Sequence, residues 1–350
     1  MSSNIFRFLL IAVLVPLFSC HGQDGRYLRA DSDADINDFL GHWTIDVDRG
    51  SAVGWLAVTL EDGYIDAELL WRGGSVLPVA HVFMPGDGIL HVSRTSPRRR
   101  APAAEGDEPR VHTVTNWMEA RTDGEKIFGW FLQPRAAGIG LDSTWFEGVR
   151  LPDVPPAPDL SALEFGNPVE LFNGVDLTGW ELIEKNAVNG WKAVNGVLVN
   201  DARQTPGEPR IRYGNLRTVE EFEDFNLSLE VNVPEGSNSG VYLRGMFEVQ
   251  VLDSYGSEPS DQNMGALYSR ITPMVAAEKP AGEWQTMDMT LADRHLTVVL
   301  NGTTIIDNQP VYGPTGGALQ PDVFAPGPVF LQGDHGPVSF RNMVLRPVVR

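Results

Sequence analysis

The chain has 350 residues, 42% of them hydrophobic, and a formal net charge of -19 from 27 basic and 46 acidic residues. That length and apolar content suffice for two domains with real cores and exclude wholesale disorder. Because so acidic a protein repels phosphate backbones, the charge also argues against nucleic-acid binding.

The N-terminus predicts export. Arg7 precedes an apolar run at residues 8–18 that is too short to span a bilayer, so we interpret residues 1–19 as a signal peptide. The sole cysteine, Cys20, ends a Leu-Phe-Ser-Cys sequence that resembles a bacterial lipobox. We therefore expect a lipoprotein at the outer membrane, periplasm or cell surface, touching membrane only through its lipid. Ordinary secretory cleavage that leaves a free thiol is the alternative.

Polar residues 20–38 are expected to form a tether, and residues 39–150 an all-β unit. Short runs of alternating apolar and polar residues recur through the second segment, and Asp-Gly pairs such as Asp62-Gly63 separate them as hairpin turns require. No sustained helical period is present. The pattern predicts a small antiparallel sheet or barrel of about eight strands.

A proline-rich linker at residues 151–163 is predicted to separate this unit from residues 164–350. In that last segment, residues 225–233 alternate strictly, and Asn301-Gly302 lies between two apolar runs as in a hairpin. Many short strands with turn-rich joints indicate a two-sheet β-sandwich or jelly roll. The whole chain is therefore expected to be all-β.

A polar strand face is predicted within residues 238–269. Side chains on a strand point alternately to opposite faces, so Tyr242 and Arg244 should share one face, as should Glu248 and Gln250. An arginine, a carboxylate and an amide beside an aromatic ring and glycine-rich turns suit a sugar-binding concavity. The plainer interpretation is a surface salt bridge between Glu248 and Arg244.

His335 is the second candidate, because it lies beside Asp334 in a turn between two glycines and titrates near neutral pH. A turn histidine bonded to backbone is the alternative. Tyr268 and Trp284 could stack on sugar or pack in the core. The sequence contains neither a glycine-rich phosphate loop nor a GxSxG elbow, so no nucleotide cofactor is expected. Five further histidines, His42, His81, His91, His112 and His295, show no metal-binding spacing.

Several motifs of residues 165–349 resemble one family. They are LFNGVDLTGW, WKAVNGVLV, NSGVYLRG, FEVQVLDSYG, GALYS, EWQTMDMTL, VVLNG and FLQGDHGPVSFRNMVLRP, in that order. This series resembles the 3-keto-disaccharide hydrolase family, once catalogued only as a domain of unknown function. The resemblance implies a concanavalin A-like lectin/glucanase sandwich and a substrate whose C3 hydroxyl has been oxidised to a ketone.

Such a ketone acidifies the proton on C2, so a base can remove it and the C1 substituent can leave by elimination before water adds back. This route requires a base, a donor for the enolate oxygen and an acid. We expect catalytic roles for Glu248 as base or metal ligand, for Arg244 at the enolate and for His335. The expected substrate-binding residues are Gln250, Asp253, Tyr268, Tyr242, Asn238, Gln332 and Asp334, of which Asp253 could equally cap a turn.

No cofactor is required by these residues, and a divalent metal ion is left open. The expected partner is an oxidised saccharide, with functional coupling to a sugar 3-dehydrogenase that makes the ketone. Two other functions compete: a carbohydrate-binding lectin-like module without turnover, and an endo-glucanase, which the missing ExDxxE strand motif disfavours. Binding alone needs aromatic rings and amides, whereas only catalysis needs both Glu248 and His335.

Overall fold

A computed structural model describes residues 35–100, 108 and 110–349, and it confirms the all-β prediction. The predicted signal peptide, the lipidation site Cys20 and most of the tether lie outside the described residues. Within the described ranges, no helix combines the length and apolar character that crossing a membrane requires.

Residues 41–150, the N-terminal unit, form a single antiparallel sheet. Its nine strands are β1 Gly41–Val47, β2 Ala52–Glu61, β3 Tyr64–Leu70, β4 Leu77–Pro78, β5 His81–Phe83, β6 Leu90–Arg100, β7 Arg110–Thr122, β8 Lys126–Pro134 and β9 Leu141–Arg150. They pair in the order β4-β3-β2-β1-β9-β8-β7-β6-β5. Since β3 and β5 also lie close together, the sheet curls towards closure, as a small barrel does.

The concave side of this sheet encloses its own apolar core, which includes Trp43, Leu56 and Phe146. The chain enters it through a short 3-10 helix at Ile36–Asp38, whose N-cap Asp35 accepts a hydrogen bond from the Asn37 backbone. This helix falls within the segment predicted to be a tether, so ordered structure begins earlier than the polar composition indicated.

Residues 164–349, the C-terminal unit, form two sheets. The strands are β10 Glu164–Phe165, β11 Val169–Glu170, β12 Trp180–Leu182, β13 Trp191–Val194, β14 Val197–Asn200, β15 Leu216–Thr218, β16 Phe225–Asn232, β17 Asn238–Leu243, β18 Phe247–Leu252, β19 Trp284–Ala292, β20 His295–Leu300, β21 Thr303–Pro310, β22 Phe330–Leu331 and β23 Val338–Val349. Nine strands make the larger sheet, ordered β13-β14-β23-β16-β19-β20-β21, with β10 and β11 added on β23. The smaller sheet has the order β12-β15-β22-β17-β18.

The two sheets of the C-terminal unit pack face to face around an apolar core, as the alternating sequence predicts. Strand β16 buries every second residue, beginning with Phe225 and Leu227, and its other residues are half-buried. The predicted Asn301-Gly302 hairpin joins β20 to β21, and both turn residues have positive φ, which a type I′ turn requires.

The proline-rich segment lies against the C-terminal unit instead of standing free. Arg294 Nη1 donates to the Pro152 carbonyl at 2.9 Å, and Asn308 Nδ2 donates to the Pro158 carbonyl at 2.9 Å. Leu160–Ala162 then form a short 3-10 helix. The segment predicted as an extended linker is therefore attached to the surface by side-chain hydrogen bonds.

The two units also share one core. Trp55 and Leu70 of the N-terminal unit, and Leu151 directly after it, are buried in the same cluster as the sandwich residues. Burial of apolar surface is the main stabilising contribution in folding. The contact between the units therefore includes a packed apolar core.

Candidate active site

The floor of the site is the outer face of the small sheet. In β17 and β18 the residues Val241, Val249 and Val251 point into the sandwich core, so their neighbours Tyr242 and Glu248 point the other way. The antiparallel register pairs Tyr242 with Glu248 and Gly240 with Gln250. Alternation therefore collects the polar side chains of both strands on one face.

Gly240 makes room for the Glu248 carboxylate. A Cβ atom at Gly240 would lie 2.3 Å from Glu248 Oε1, which is closer than atoms can approach. The absence of a side chain at Gly240 therefore leaves space for the carboxylate against β17. The alternating pattern of Asn238, Gly240 and Tyr242 places this glycine on the polar face, and sequence analysis overlooked it.

Glu248 is buried, with only 4% of its surface exposed, yet it borders an open cavity. Tyr242 Oη donates to Glu248 Oε2 at 2.7 Å, and Gln332 Nε2 lies 3.4 Å from Oε1. Burial raises the pKa of Glu248 to about 7, against the opposing effects of the Tyr242 hydrogen bond and the charge of His335. A carboxyl group with this pKa can both accept and return a proton at neutral pH.

His335 and Asp334 form a hydrogen-bonded pair at the cavity wall. The Nδ1 atom of His335 lies 2.7 Å from Asp334 Oδ1. This hydrogen bond raises the pKa of His335, against the effect of partial burial. Burial pushes the pKa of Asp334 upward, but the hydrogen bond and the charge of His335 outweigh it and the net pKa is lowered. The pair therefore favours imidazolium beside carboxylate, which can deliver a proton.

The cavity above this floor has a volume of about 280 Å³. Concave sites with a few convergent polar groups are the usual location of ligand binding. Eight residues that the sequence singled out line it: Asn238, Tyr242, Glu248, Gln250, Tyr268, Gln332, Asp334 and His335. The structure thus brings these side chains around one space.

Two amide groups on this wall are incompletely hydrogen-bonded. Among the described residues, neither Asn238 Oδ1 nor Gln332 Oε1 has a hydrogen-bond partner, although both atoms are buried. Unsatisfied buried acceptors are costly, and a hydroxyl-rich ligand carries the donors that would relieve them. Gln250 differs, since its Nε2 donates to the Gln262 carbonyl at 3.2 Å and its Oε1 accepts from the Val251 backbone.

Arg244 does not join this site, so the prediction that it shares the polar face with Tyr242 is wrong. Strand β17 ends at Leu243, and Arg244 has a φ of 54°, which breaks the alternation. Its guanidinium is buried elsewhere, donating to the Ala325 carbonyl and lying 3.8 Å from Asp224. Arg244 therefore stabilises a loop, and it is not among the residues that line the cavity.

Asp253 and Trp284 also lie away from the cavity lining. Asp253 Oδ2 accepts a hydrogen bond from the Gly236 backbone at 2.9 Å, which is the turn-capping role that the sequence left as an alternative. The ring of Trp284 lies under the Arg341 guanidinium, 4.0 Å from its centroid. Both residues thus have structural partners of their own.

No three or more histidine, cysteine, aspartate or glutamate side chains come close enough to hold a metal ion in the described part of the chain. Glu248 is hydrogen-bonded to Tyr242, and Asp334 and His335 are hydrogen-bonded to each other. The described residues therefore supply no three-ligand metal centre, and the chemistry below uses the protein's own groups.

Sequence reasoning missed several residues of the wall. Asn215 accepts a hydrogen bond from the Gly333 backbone at 2.7 Å and donates to Glu184 at 3.0 Å, so it fixes the turn that carries His335. Glu184 and Asn215 lie in loops, where apolar and polar residues do not alternate, so the sequence pattern does not predict which way their side chains point. Gly73 and Gly74 come from the N-terminal unit, and nothing local in the sequence places them here.

Comparison with family models matches the C-terminal unit. A family model described as the 3-keto-alpha-glucoside-1,2-lyase-like domain matches residues 167–346, the range that contains the floor and the His335 turn. No curated protein matches the chain.

Among solved structures, a candidate glycosyl hydrolase from Parabacteroides distasonis is 27% identical, with a TM-score of 0.43, covering 55% of this chain and 93% of its own. A second such protein from the same organism is 23% identical, with a TM-score of 0.39, covering 52% of this chain and 100% of its own.

Proposed function

The chain belongs to the family of 3-keto-alpha-glucoside-1,2-lyase-like domains, and from that premise we propose that it cleaves 3-keto-glycosides by elimination and rehydration. The family is carbohydrate-active and glycosyl hydrolase-like. One observation supports the specific chemistry above all others. Glu248 presents a buried carboxyl group with a pKa of about 7 to a cavity that also holds the imidazole of His335.

In the proposed first step, the Glu248 carboxylate removes the proton from C2 of the bound 3-keto sugar. The C–H electrons form a C2–C3 double bond, and the negative charge passes to the oxygen on C3. A base is most effective when its pKa lies near the working pH, which is the property that burial gives Glu248.

In the second step the ketone reforms, a C1–C2 double bond appears and the C1–oxygen bond breaks. The departing oxygen takes a proton from the His335 imidazolium, which its Asp334 partner holds in the charged form. Water then adds to C1, Glu248 returns its proton to C2 and His335 is recharged. The net change is addition of one water, giving a 3-keto sugar and the freed alcohol.

This route avoids the oxocarbenium-like transition state of ordinary glycosidases, for which two carboxylates flank the bond. The cavity instead combines one carboxyl group of raised pKa with a histidine–aspartate pair. Asn238 and Gln332 contribute acceptors that suit sugar hydroxyl groups. These features favour catalysis over binding alone, because a lectin-like site needs no group with a neutral pKa.

We also propose that the protein is exported and attached to lipid through Cys20, and that a sugar 3-dehydrogenase supplies its substrate. The elimination needs a ketone at C3, and none of the steps above creates one. A Cys20→Ser variant that fractionates with membranes as the parent does would contradict the lipid attachment.

The test of the function compares 4-nitrophenyl 3-keto-glucoside with its unoxidised parent. We expect release of nitrophenol from the ketone alone, and incorporation of deuterium at C2 when the reaction runs in D₂O. Saccharide binding without release of the alcohol would instead support a carbohydrate-binding module. Equal cleavage of both glycosides, or no deuterium at C2, would rule out the elimination route.

A further inference from the structure

The N-terminal unit contributes part of the cavity wall. The loop at residues 71–76, between β3 and β4, reaches the C-terminal unit, and Gly73 and Gly74 line the cavity beside Glu248 and Tyr242. The site thus lies at the contact between two units, although its catalytic groups all come from one of them. Ligand sites commonly lie at domain interfaces.

The 71–76 loop packs backbone to backbone against residues 315–319. A Cβ atom at Gly316 would fall 2.0 Å from the Gly74 carbonyl oxygen, and one at Gly73 would lie 3.8 Å from the Gly317 nitrogen. Gly317 is in turn close to Tyr242, whose hydroxyl also lies 2.8 Å from the Gly316 carbonyl. Because both segments carry glycines at the contact, the 71–76 loop can come close to Tyr242, whose hydroxyl is hydrogen-bonded to Glu248.

Hydrogen bonds fix the far end of the loop to another cavity residue. Ser75 Oγ lies 3.1 Å from the hydroxyl of Tyr268, which lines the cavity, and Gln262 Nε2 donates to Ser75 Oγ at 3.4 Å. Ser269 Oγ donates to the Val76 carbonyl at 3.2 Å. The loop and the Tyr268 segment are thus held together at the rim.

A buried cation and an aromatic ring hold the interface behind the loop. Trp55 Nε1 donates to the Tyr312 carbonyl at 3.0 Å, and the Arg270 guanidinium lies 4.1 Å from the Trp55 ring centroid. Arg270 also donates to the Pro314 carbonyl at 2.9 Å. These contacts of Trp55 and Arg270 join the two units directly behind the loop.

We propose that the 71–76 loop is a substrate-contacting element, so that the N-terminal unit determines which saccharides the site accepts. This inference rests on the proposed function. Gly73 and Gly74 present backbone and no side chain to the cavity, which leaves space for a sugar ring against them. Ser75 positions Tyr268, whose ring and hydroxyl offer a sugar both a stacking surface and a hydrogen-bond partner.

The sharpest test is Gly74→Asn. Gly74 has a φ of 73°, a conformation that asparagine tolerates, and a Cβ atom there meets nothing within 4 Å. The matched control is Gly63→Asn in the turn between β2 and β3, where φ is 83° and a Cβ atom also meets nothing within 4 Å. Both variants carry the same backbone change in the same unit, and only one borders the cavity.

We expect Gly74→Asn to raise KM for a 3-keto-disaccharide by about tenfold, because its side chain would take up space left for the sugar, with a Tm equal to that of Gly63→Asn. Ser75→Ala should raise KM by about fivefold, the effect of one hydrogen bond, with kcat nearly unchanged. A purely structural loop would lower Tm without changing KM.

The two hypotheses fail in different ways. If the parent protein turns over the keto sugar and Gly74→Asn has the KM of Gly63→Asn, this inference is wrong and the proposed function stands. If the parent protein only binds saccharide, the proposed function fails, and dissociation constants of the same variants measure the contact. If it neither cleaves nor binds oxidised saccharide, both are overturned.

Discussion

The hydroxyl of Tyr242 donates a 2.7 Å hydrogen bond to Glu248 Oε2 across the antiparallel pair β17 and β18. The two residues are direct cross-strand neighbours, so strand register alone brings them together. Burial and the adjoining carboxylate raise the pKa of Tyr242 well above its ordinary value, so it remains a donor throughout the working range. Tyr242 is therefore a positioning residue for the carboxyl group.

Glu248→Gln should reduce kcat on a 3-keto-glycoside by at least about 10²-fold, the usual contribution of a general base. The amide keeps the shape of the side chain but cannot accept the C2 proton. Exposed Glu235 of the same unit provides the control, and Glu235→Gln should behave as the parent protein. A Glu248→Gln variant that still exchanges C2 with D₂O at the parent rate would show that another group is the base.

Stability should decrease as the pH rises from about 4.5 to about 7. The folded-state pKa of Glu248 lies above its unfolded value, so burial penalises the charged form; the penalty is absent below the unfolded pKa and complete above the folded one. The free energy of unfolding should fall by at most about 3 kcal/mol over this pH range. Urea unfolding of the parent and Glu248→Gln at pH 5 and pH 8 measures it, and parallel pH dependences would contradict the raised pKa.

Tyr242→Phe should move the acidic limb of the pH–rate profile to higher pH. The tyrosine hydrogen bond lowers the pKa of Glu248, so its loss raises that pKa further and leaves less carboxylate at pH 7. We expect activity lost near neutral pH to recover in part at pH 8 to 9. Tyr213→Phe, which removes an exposed hydroxyl bonded to the Arg203 carbonyl, is the control.

Asp334→Asn should move the alkaline limb of the same profile to lower pH. Asp334 raises the pKa of His335 through its hydrogen bond and its charge, and asparagine removes the charge. The measurement is the pH dependence of kcat/KM, together with an NMR titration of the His335 imidazole. Asp201→Asn, at an exposed ion pair with Arg203, should leave both unchanged. An unshifted imidazole titration would contradict the pairing.

Alternation along strands explains what could be predicted. Tyr242, Glu248 and Gln250 share a face because they are separated by even numbers of residues or paired across a hairpin. Arg244 also has even spacing from Tyr242, but it lies one residue beyond the strand end in a left-handed conformation. The period of two holds only while the strand continues, and a single residue past its end can point anywhere.

Contacts between residues far apart in the sequence explain which part of the site the sequence could not predict. Gly74 and Glu248 lie 174 residues apart in the sequence (248 − 74), and Gly73 and Gly74 reach the cavity only because the two units share a core. Glycines in a turn predict a turn and carry no information on what the turn touches. The family resemblance is carried by motifs in residues 165–349, so it gives no information on the part of the cavity wall that the N-terminal unit contributes.

The buried residues Trp55, Leu70 and Leu151 have a consequence for how the molecule denatures. Separating the halves would expose these side chains to water at the same moment that it opened the sandwich. Heating should thus give one calorimetric endotherm, whose van't Hoff and calorimetric enthalpies agree. Either unit expressed alone would expose this hydrophobic patch to water and would therefore tend to self-associate.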